Sequence, residues 1–317
     1  MQFLSNTHID FISKRKIAFV ISALLIVAGI VSLVIHGGPQ YGIDFTGGTL
    51  FEFDFTPDSI ETPPVEIQAI REILSSQGFS DAVIQEFGNP NIILLKIKTS
   101  ENPKEEEEAL MSILRTNFPN YAANKTEVDF LRRSEHVGSK VGEELRGKAI
   151  IAILIAMLGI IIYIWWRFEL TFGFAAVLAL FHDVLITIGM LSIFNIEITI
   201  SVIAALLAIV GYSLNDTIVL FVRVREDLKI YRKENYESII NHSINEVLSR
   251  TIVTSFTTLI VVMILFFFGG EGIRAFATTL LMGILVGTYS SIFIASPVLV
   301  AYRSWKTKHS ETKRRRV

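Results

Sequence analysis

Asp216 is the residue whose type and position most demand a chemical explanation. It stands in Gly211-Tyr-Ser-Leu-Asn-Asp-Thr-Ile-Val219, within a largely apolar run from Ile198 to Val222 that is long enough to cross a bilayer. A carboxylate there carries a solvation penalty of roughly 2.5–3.5 kcal/mol even on lenient insertion scales. Two further ionisable settings repeat the pattern. His182-Asp183 lies near the middle of Leu170–Phe194, and Arg250 opens the apolar run Ile252–Phe268. Desolvation favours a neutral carboxyl and a nearby guanidinium favours a charged one, so an Asp whose distance to an Arg changes takes up and releases a proton. On that chemistry Asp216, Arg250 and Asp183 form a candidate proton-coupling set.

Helical spacing says how these groups are presented. Separations of three, four and seven put Tyr212, Ser213, Asp216 and Arg223 on or near one face. Arg250, Thr254, Thr257 and Thr258 make a second polar stripe, and Asp183 and Thr187 are one turn apart. Three such faces are expected to meet inside a bundle, away from lipid. Two other readings use the same residues. An Asp–Arg pair can simply hold helices together, with Arg250 snorkelling toward a helix end. Paired intramembrane aspartates sharing one proton would make a protease of Asp183 and Asp216, but His-Asp and Asn-Asp do not look like the motifs of that chemistry.

The elements that position these residues follow from composition. With 51% hydrophobic and 19% charged residues in 317, the chain is too apolar for an ordinary soluble enzyme and reads as a multi-pass membrane protein. The absence of cysteine excludes disulfides and thiolate metal sites. Residues 1–16 end in Lys14-Arg15-Lys16, and 17–36 form an apolar segment spanning close to the ~30 Å hydrocarbon core, with no small-residue cleavage site after it, so a first, uncleaved crossing is predicted. Further crossings are predicted at 148–166, 170–194, 198–222, 251–268 and 273–302, with a charged loop at 223–250 and a basic tail at 303–317. Trp165, Trp166 and Arg167 sit where an interfacial belt belongs, and the tail's Lys313-Arg-Arg-Arg316 suits either anionic membrane lipid or plain solvation. Basic residues concentrate at the amino terminus, Arg167, the 223–250 loop and the tail, which predicts cytoplasmic termini. Gly283-x-x-x-Gly287, followed by Ser290 and Ser291, offers a helix-packing face of small residues.

Residues 37–147 turn polar and acidic and are predicted to fold outside the membrane on the far side. Strands are expected at Leu50–Phe55, Ala82–Phe87, Ile92–Lys98 and Thr126–Leu131, and helices at Pro63–Ser76 and from Pro103, behind an Asn102 cap, to Asn117. Gly88-Asn-Pro-Asn91 fits a hairpin turn. The order β-α-β-β-α-β predicts a ferredoxin-like α+β insert in a six-helix, all-α membrane bundle. Asp44, Glu52, Asp54 and Asp58 are spaced acids best read as solvated rather than as a metal site.

Taken together, Gly42-Ile-Asp-Phe-Thr-Gly-Gly48, Phe181-His-Asp183, Gly211–Val219, Leu248-Ser-Arg-Thr251 and Gly287-Thr-Tyr-Ser-Ser-Ile292 resemble the SecD/SecF family of protein-translocase subunits, on its SecF side, over nearly the whole chain. Gly42, Asp44, Phe45, Gly47 and Gly48 carry the most specific of these motifs. The resemblance implies an inner-membrane subunit of the resistance-nodulation-division superfamily that pairs with SecD. It would use proton motive force to help polypeptide clients through the SecYEG channel. It also implies a proton-linked site at Asp216 and Arg250, to which SecD adds an aspartate. No enzyme activity, cofactor, metal or nucleic acid is expected. A small-molecule exporter of the same superfamily would carry a much larger external domain, and a passive scaffold for SecD would not need Asp216. The chain departs from the family pattern at Phe221-Val222-Arg223, where Asp commonly precedes the Arg, so Arg223 must find another partner.

Overall fold

The computed structural model describes residues 7–57, 62–80, 82–97, 102–167 and 169–314. Asp58, Lys98, Phe168, Arg315 and Arg316 lie outside the described residues, as do the basic side chains of the tail from Lys306 onward. The chain divides into two compact units, residues 1–40 with 151–317 and residues 41–150.

In chain order, Arg15–Ile35 (α1) is followed by the polar unit. That unit holds Ile43–Thr46 (α2), Gly48–Asp54 (β1), Ile67–Ser76 (α3), Val83–Phe87 (β2), Asn89–Ile97 (β3), Pro103–Asn117 (α4), Pro119–Ala122 (α5), Glu127–Phe130 (α6) and Leu131–Val137 (β4). Ser139–Arg167 (α7) runs from it into the second unit. Leu170–Ile193 (α8), Ile200–Ile230 (α9), Tyr236–Phe268 (α10), Glu271–Ser290 (α11) and Ser296–Arg314 (α12) complete the chain. Among the described residues, six helices are long and apolar enough to cross a membrane, the last formed by α11 and α12 joined through a π-helical turn at Ser291–Ala295.

The polar unit is built on one sheet, ordered β2-β3-β1-β4 with every pairing antiparallel. Alternation along β1 sends Phe51 and Phe53, with Phe55 beyond it, into a core shared with Ile70 and Leu74 of α3 and Leu110 and Leu114 of α4. Gly88, at φ 71°, makes the turn between β2 and β3. The last strand lies later than the sequence predicts. Thr126 accepts a hydrogen bond from the Asp129 amide at 3.2 Å and caps α6 across the span read as strand, so the strand begins only at Leu131. Pro103 does take the first position of α4, but the Asn102 side chain makes no cap bond.

In the membrane unit the expected charged loop at 223–250 is mostly helix. α9 continues to Ile230 and α10 starts at Tyr236, leaving a short connection at 231–235. Ion pairs explain the continuation. Arg223 bridges to Asp227 one turn on at 3.0 Å and to Glu246 of α10, while Ser243 donates to the buried Asp227 carboxylate at 2.6 Å. Arg223 therefore finds its partners on α9 and α10 in place of a neighbour at 222. The helix α10 also grips the segment before α1. Asn241 Oδ1 accepts from the Phe11 and Ile12 amides at 2.9 and 3.1 Å, and Asn245 exchanges two bonds with the Ile9 backbone at 3.0 and 2.9 Å.

Candidate functional site

Glycines bring the polar helices into register. A Cβ on Gly283 would strike the Ile209 side chain, and one on Gly287 would sit 3.0 Å from Ser213 Cβ, so the Gly283-x-x-x-Gly287 face presses α11 against α9. A second crossing, not singled out by the sequence, joins α1 to α8, where a Cβ on Gly29 would fall 2.7 Å from the Gly189 Cα. These approaches place four helices around one acid.

Asp183 on α8 is fully buried. Its Oδ1 contacts His182 Nδ1 at 2.8 Å, and its Oδ2 accepts from Ser213 Oγ of α9 at 2.5 Å and from Ser290 Oγ of α11 at 2.7 Å. Thr187 does not join the cluster; its hydroxyl donates to the Asp183 carbonyl at 2.7 Å. The other face of His182 reaches Ser22 Oγ of α1 at 2.9 Å, Ser22 meets Tyr289 Oη of α11 at 3.2 Å, and Tyr289 donates to the Ala18 carbonyl at 2.8 Å. Tyr289 stacks on Phe293 at 5.3 Å, just where the π-helical turn interrupts the last crossing. Such turns recur at functional places in helices.

Asp216 makes a different centre. It is buried at 4% exposure, yet its Oδ2 has no hydrogen-bond partner and its Oδ1 has only a long contact from Asn215 Nδ2 at 3.4 Å. Arg250 acts on it through charge without forming an ion pair, and Ser255 faces it from α10 while bonded to Thr288 Oγ1 at 2.7 Å. Arg250 and Asn215 are both exposed. The threonine stripe beside Arg250 turns inward on its own helix, since Thr254, Thr257 and Thr258 donate to carbonyls three or four residues back. Asp183 and Asp216 share no hydrogen bond and no hydrogen-bond partner, so the three ionisable groups read from the sequence as one device form two centres, about one turn apart along α9 from Ser213 to Asp216. Ser22, which completes the Asp183 centre, was missed, and Tyr289 stood in the Gly287–Ile292 motif without a role assigned to it. A tyrosine followed by two serines in an apolar helix was the available signal.

Two other clusters have simpler readings. Ligand atoms of Asp227, His242 and Glu246 lie within 4.8 Å of one another, but the Arg223 guanidinium already supplies the cation among them. In the polar unit Glu52 pairs with Arg132 at 3.6 Å and Asp54 with Lys125 at 2.9 Å, each acid with its own cation. The Gly42–Gly48 motif in that unit is a joint. Gly42 precedes the short helix α2 with buried Phe45, Gly47 and Gly48 take φ of 71° and 133°, and a Cβ on Gly48 would lie 2.6 Å from the Ile97 carbonyl. Gly142 of α7 packs on it, where a Cβ would meet the Gly47 amide at 2.8 Å.

Among the described residues, six membrane-length helices with a buried polar interior and a small antiparallel α+β unit define a multi-pass membrane protein. Residues 120–305 match the family of protein export membrane proteins SecD/SecF, C-terminal part, and residues 32–59 match the SecD/SecF GG motif. The chain is 48% identical over 299 residues to the protein translocase subunit SecF of Desulfurispirillum indicum, covering 93% of this chain and 92% of that one. It is 43% identical to the SecF subunit of Calditerrivibrio nitroreducens, covering 96% and 97% of the two chains. The crystal structure of SecDF, a translocon-associated membrane protein from Thermus thermophilus, aligns with a TM-score of 0.83 and 36% identity, over 96% of this chain and 40% of that one. The chain belongs to the SecD/SecF family, and it spans 40% of the solved SecDF chain.

Proposed function

We propose that this chain works as the SecF half of a pair with SecD in the bacterial inner membrane, drawing on proton motive force to promote the passage of polypeptide clients through the SecYEG channel. The observation that carries the reading is Asp216. A buried carboxylate oxygen without a partner, inside a membrane-length helix and within reach of the Arg250 charge, is held ready for a proton. Protonation removes the cost of burying the charge, and deprotonation restores the attraction to Arg250, so the two states favour different separations of α9 and α10. Asp183 assists from the neighbouring centre or stabilises the third crossing.

The basic residues at the amino terminus and tail support cytoplasmic termini, with residues 37–147 outside as a ferredoxin-like domain whose movement the proton biases. A partner helix is supported by the exposed stripe Ala204, Ala208, Gly211 and Asn215, which runs along α9 to the edge of Asp216. Energy limits what one proton does. One charge crossing ~100 mV supplies ~2.3 kcal/mol, whereas moving an equilibrium from about 1:99 to 99:1 needs ~5.5 kcal/mol, so further protons, a pH gradient or a modest shift must make up the difference.

The test is export of a secretory precursor in membranes carrying the complete complex under an imposed proton gradient. Asp216→Asn should remove the gradient-dependent part. Unchanged gradient-dependent export in that variant would instead leave the chain a passive scaffold.

A further inference from the structure

The hydrogen bonds around His182 fix where hydrogens sit, because each hydroxyl has only one to give. The Ala18 carbonyl accepts only, so Tyr289 donates to it at 2.8 Å. Tyr289 is then the acceptor in its 3.2 Å contact with Ser22, which makes Ser22 the acceptor in its 2.9 Å contact with His182. Nε2 must therefore carry a hydrogen. The 2.8 Å contact between His182 Nδ1 and Asp183 Oδ1 requires another, whether it resides on the ring or on the carboxyl. A network satisfied at every contact thus holds two protons on the His182–Asp183 pair. It does so as imidazolium with carboxylate or as imidazole with carboxylic acid.

We propose that His182 and Asp183 form a second proton-binding site, and that its second proton latches the first membrane helix to the last through Ser22 and Tyr289. Loss of that proton to water leaves a neutral ring with Nδ1–H facing the Asp183 carboxylate and Nε2 bare. Ser22 then turns its hydrogen to Nε2, and Tyr289 keeps either its bond to Ala18 or a hydrogen-bonded contact with Ser22, but not both. Release of one proton so costs one bond between α1 and α11. The groups facing the pair are Ser22 from α1, Ser213 from α9, and Tyr289 and Ser290 from α11. Tyr289 is the titratable one among them, no Lys or Arg of the described residues bonds to the pair, and the nearest acid along α9 is Asp216, three residues past Ser213. The site itself stands apart from the role assigned to Asp216; only its link to export rests on that role.

The experiment is nitrogen-15 spectroscopy of histidine-labelled full-length chain in lipid nanodiscs at neutral pH, with the His182 signal assigned by its loss in His182→Gln. The wild type should show a hydrogen on Nε2. Tyr289→Phe removes the acceptor for Ser22 and should lower the Nε2–H population about fivefold or more, and Ser22→Ala should do the same by removing the acceptor for Nε2. A bare Nε2 in the wild type overturns the proposal whether or not the variants fold, as does an unchanged Nε2–H population in both variants. Asp216→Asn should leave the His182 signal in place. Gradient-dependent export that survives Asp216→Asn overturns the role of Asp216 and leaves the latch standing, whereas a His182 signal altered by Asp216→Asn overturns the separateness of the two sites.

Discussion

Two buried aspartates lie on adjacent helices of this bundle, and their surroundings are opposite. Asp183 has no exposure and fills both oxygens, with His182 on one and two serines from different helices on the other. Asp216 has one long contact from exposed Asn215 at 3.4 Å, the Ser255 hydroxyl facing it from α10, and the charge of exposed Arg250 acting on it without an ion pair. A satisfied buried carboxylate fixes geometry, because each donor removed leaves a buried acceptor oxygen short of a bond. An unsatisfied one stores a cost that is relieved by a proton or by a group from outside the chain. The contrast separates a centre that fastens helices to one another from one that is open to groups outside it.

That contrast breaks if the two acids respond alike to substitution. Asp183→Leu removes the acceptor shared by His182, Ser213 and Ser290, of which only Ser290 has the Gly287 carbonyl to turn to, and should lower stability by about 2–4 kcal/mol, measured as the shift in SDS-induced unfolding in mixed micelles. Gly29→Val should cost about 2–3 kcal/mol in the same assay, since its side chain meets the Gly189 backbone, and Gly283→Ala less, about 1–2 kcal/mol, because the Ile209 side chain that it meets can rotate. Asp216→Asn should change stability by no more than ~0.5 kcal/mol, since little hydrogen bonding is lost. A larger loss there would make Asp216 a structural residue like Asp183.

The smallest effect belongs to the polar unit and sets a baseline for ordinary acids. Burial disfavours the Asp54 carboxylate, but hydrogen bonds from Thr56 and Lys125 outweigh it and hold the group below the usual carboxylate range. With the folded value depressed, this stabilisation is fully present above about pH 4 and fades as pH falls through the folded value. The hydrogen-exchange protection factor of the Thr56 amide should fall on that descent in the wild type, and the fall should set in at a higher pH in Lys125→Met, where only the Thr56 bonds remain.

What the sequence revealed and what it hid divide along physical lines. Apolar runs of membrane length mark six crossings because the bilayer imposes a length, and Asp216 stands out because a carboxylate in such a run is costly. Ser22 did not stand out, since a hydroxyl in an apolar helix usually serves packing and its partner His182 lies 160 residues away. Gly29 and Gly189 are lone glycines whose meaning appears only when their helices cross. The extension of α9 and α10 past the apolar runs depends on Arg223 finding Asp227 and Glu246, a cross-helix pairing that helical periodicity does not encode. The strand β4 was displaced because a Thr126 cap and a run of alternating residues look alike before pairing with β1 is known.

The central claim is that Asp216 couples the gradient to export, while the His182–Asp183 centre fastens the helices together. Its most direct measurement sets Asp216→Asn beside Asp183→Asn in the same vesicles, recording gradient-driven precursor export and SDS unfolding for each. The account predicts that Asp216→Asn abolishes the gradient-driven component at near wild-type stability, whereas Asp183→Asn lowers stability first and export only in proportion to the folded complex. Export that survives Asp216→Asn, or the same loss of stability in both variants, would contradict it.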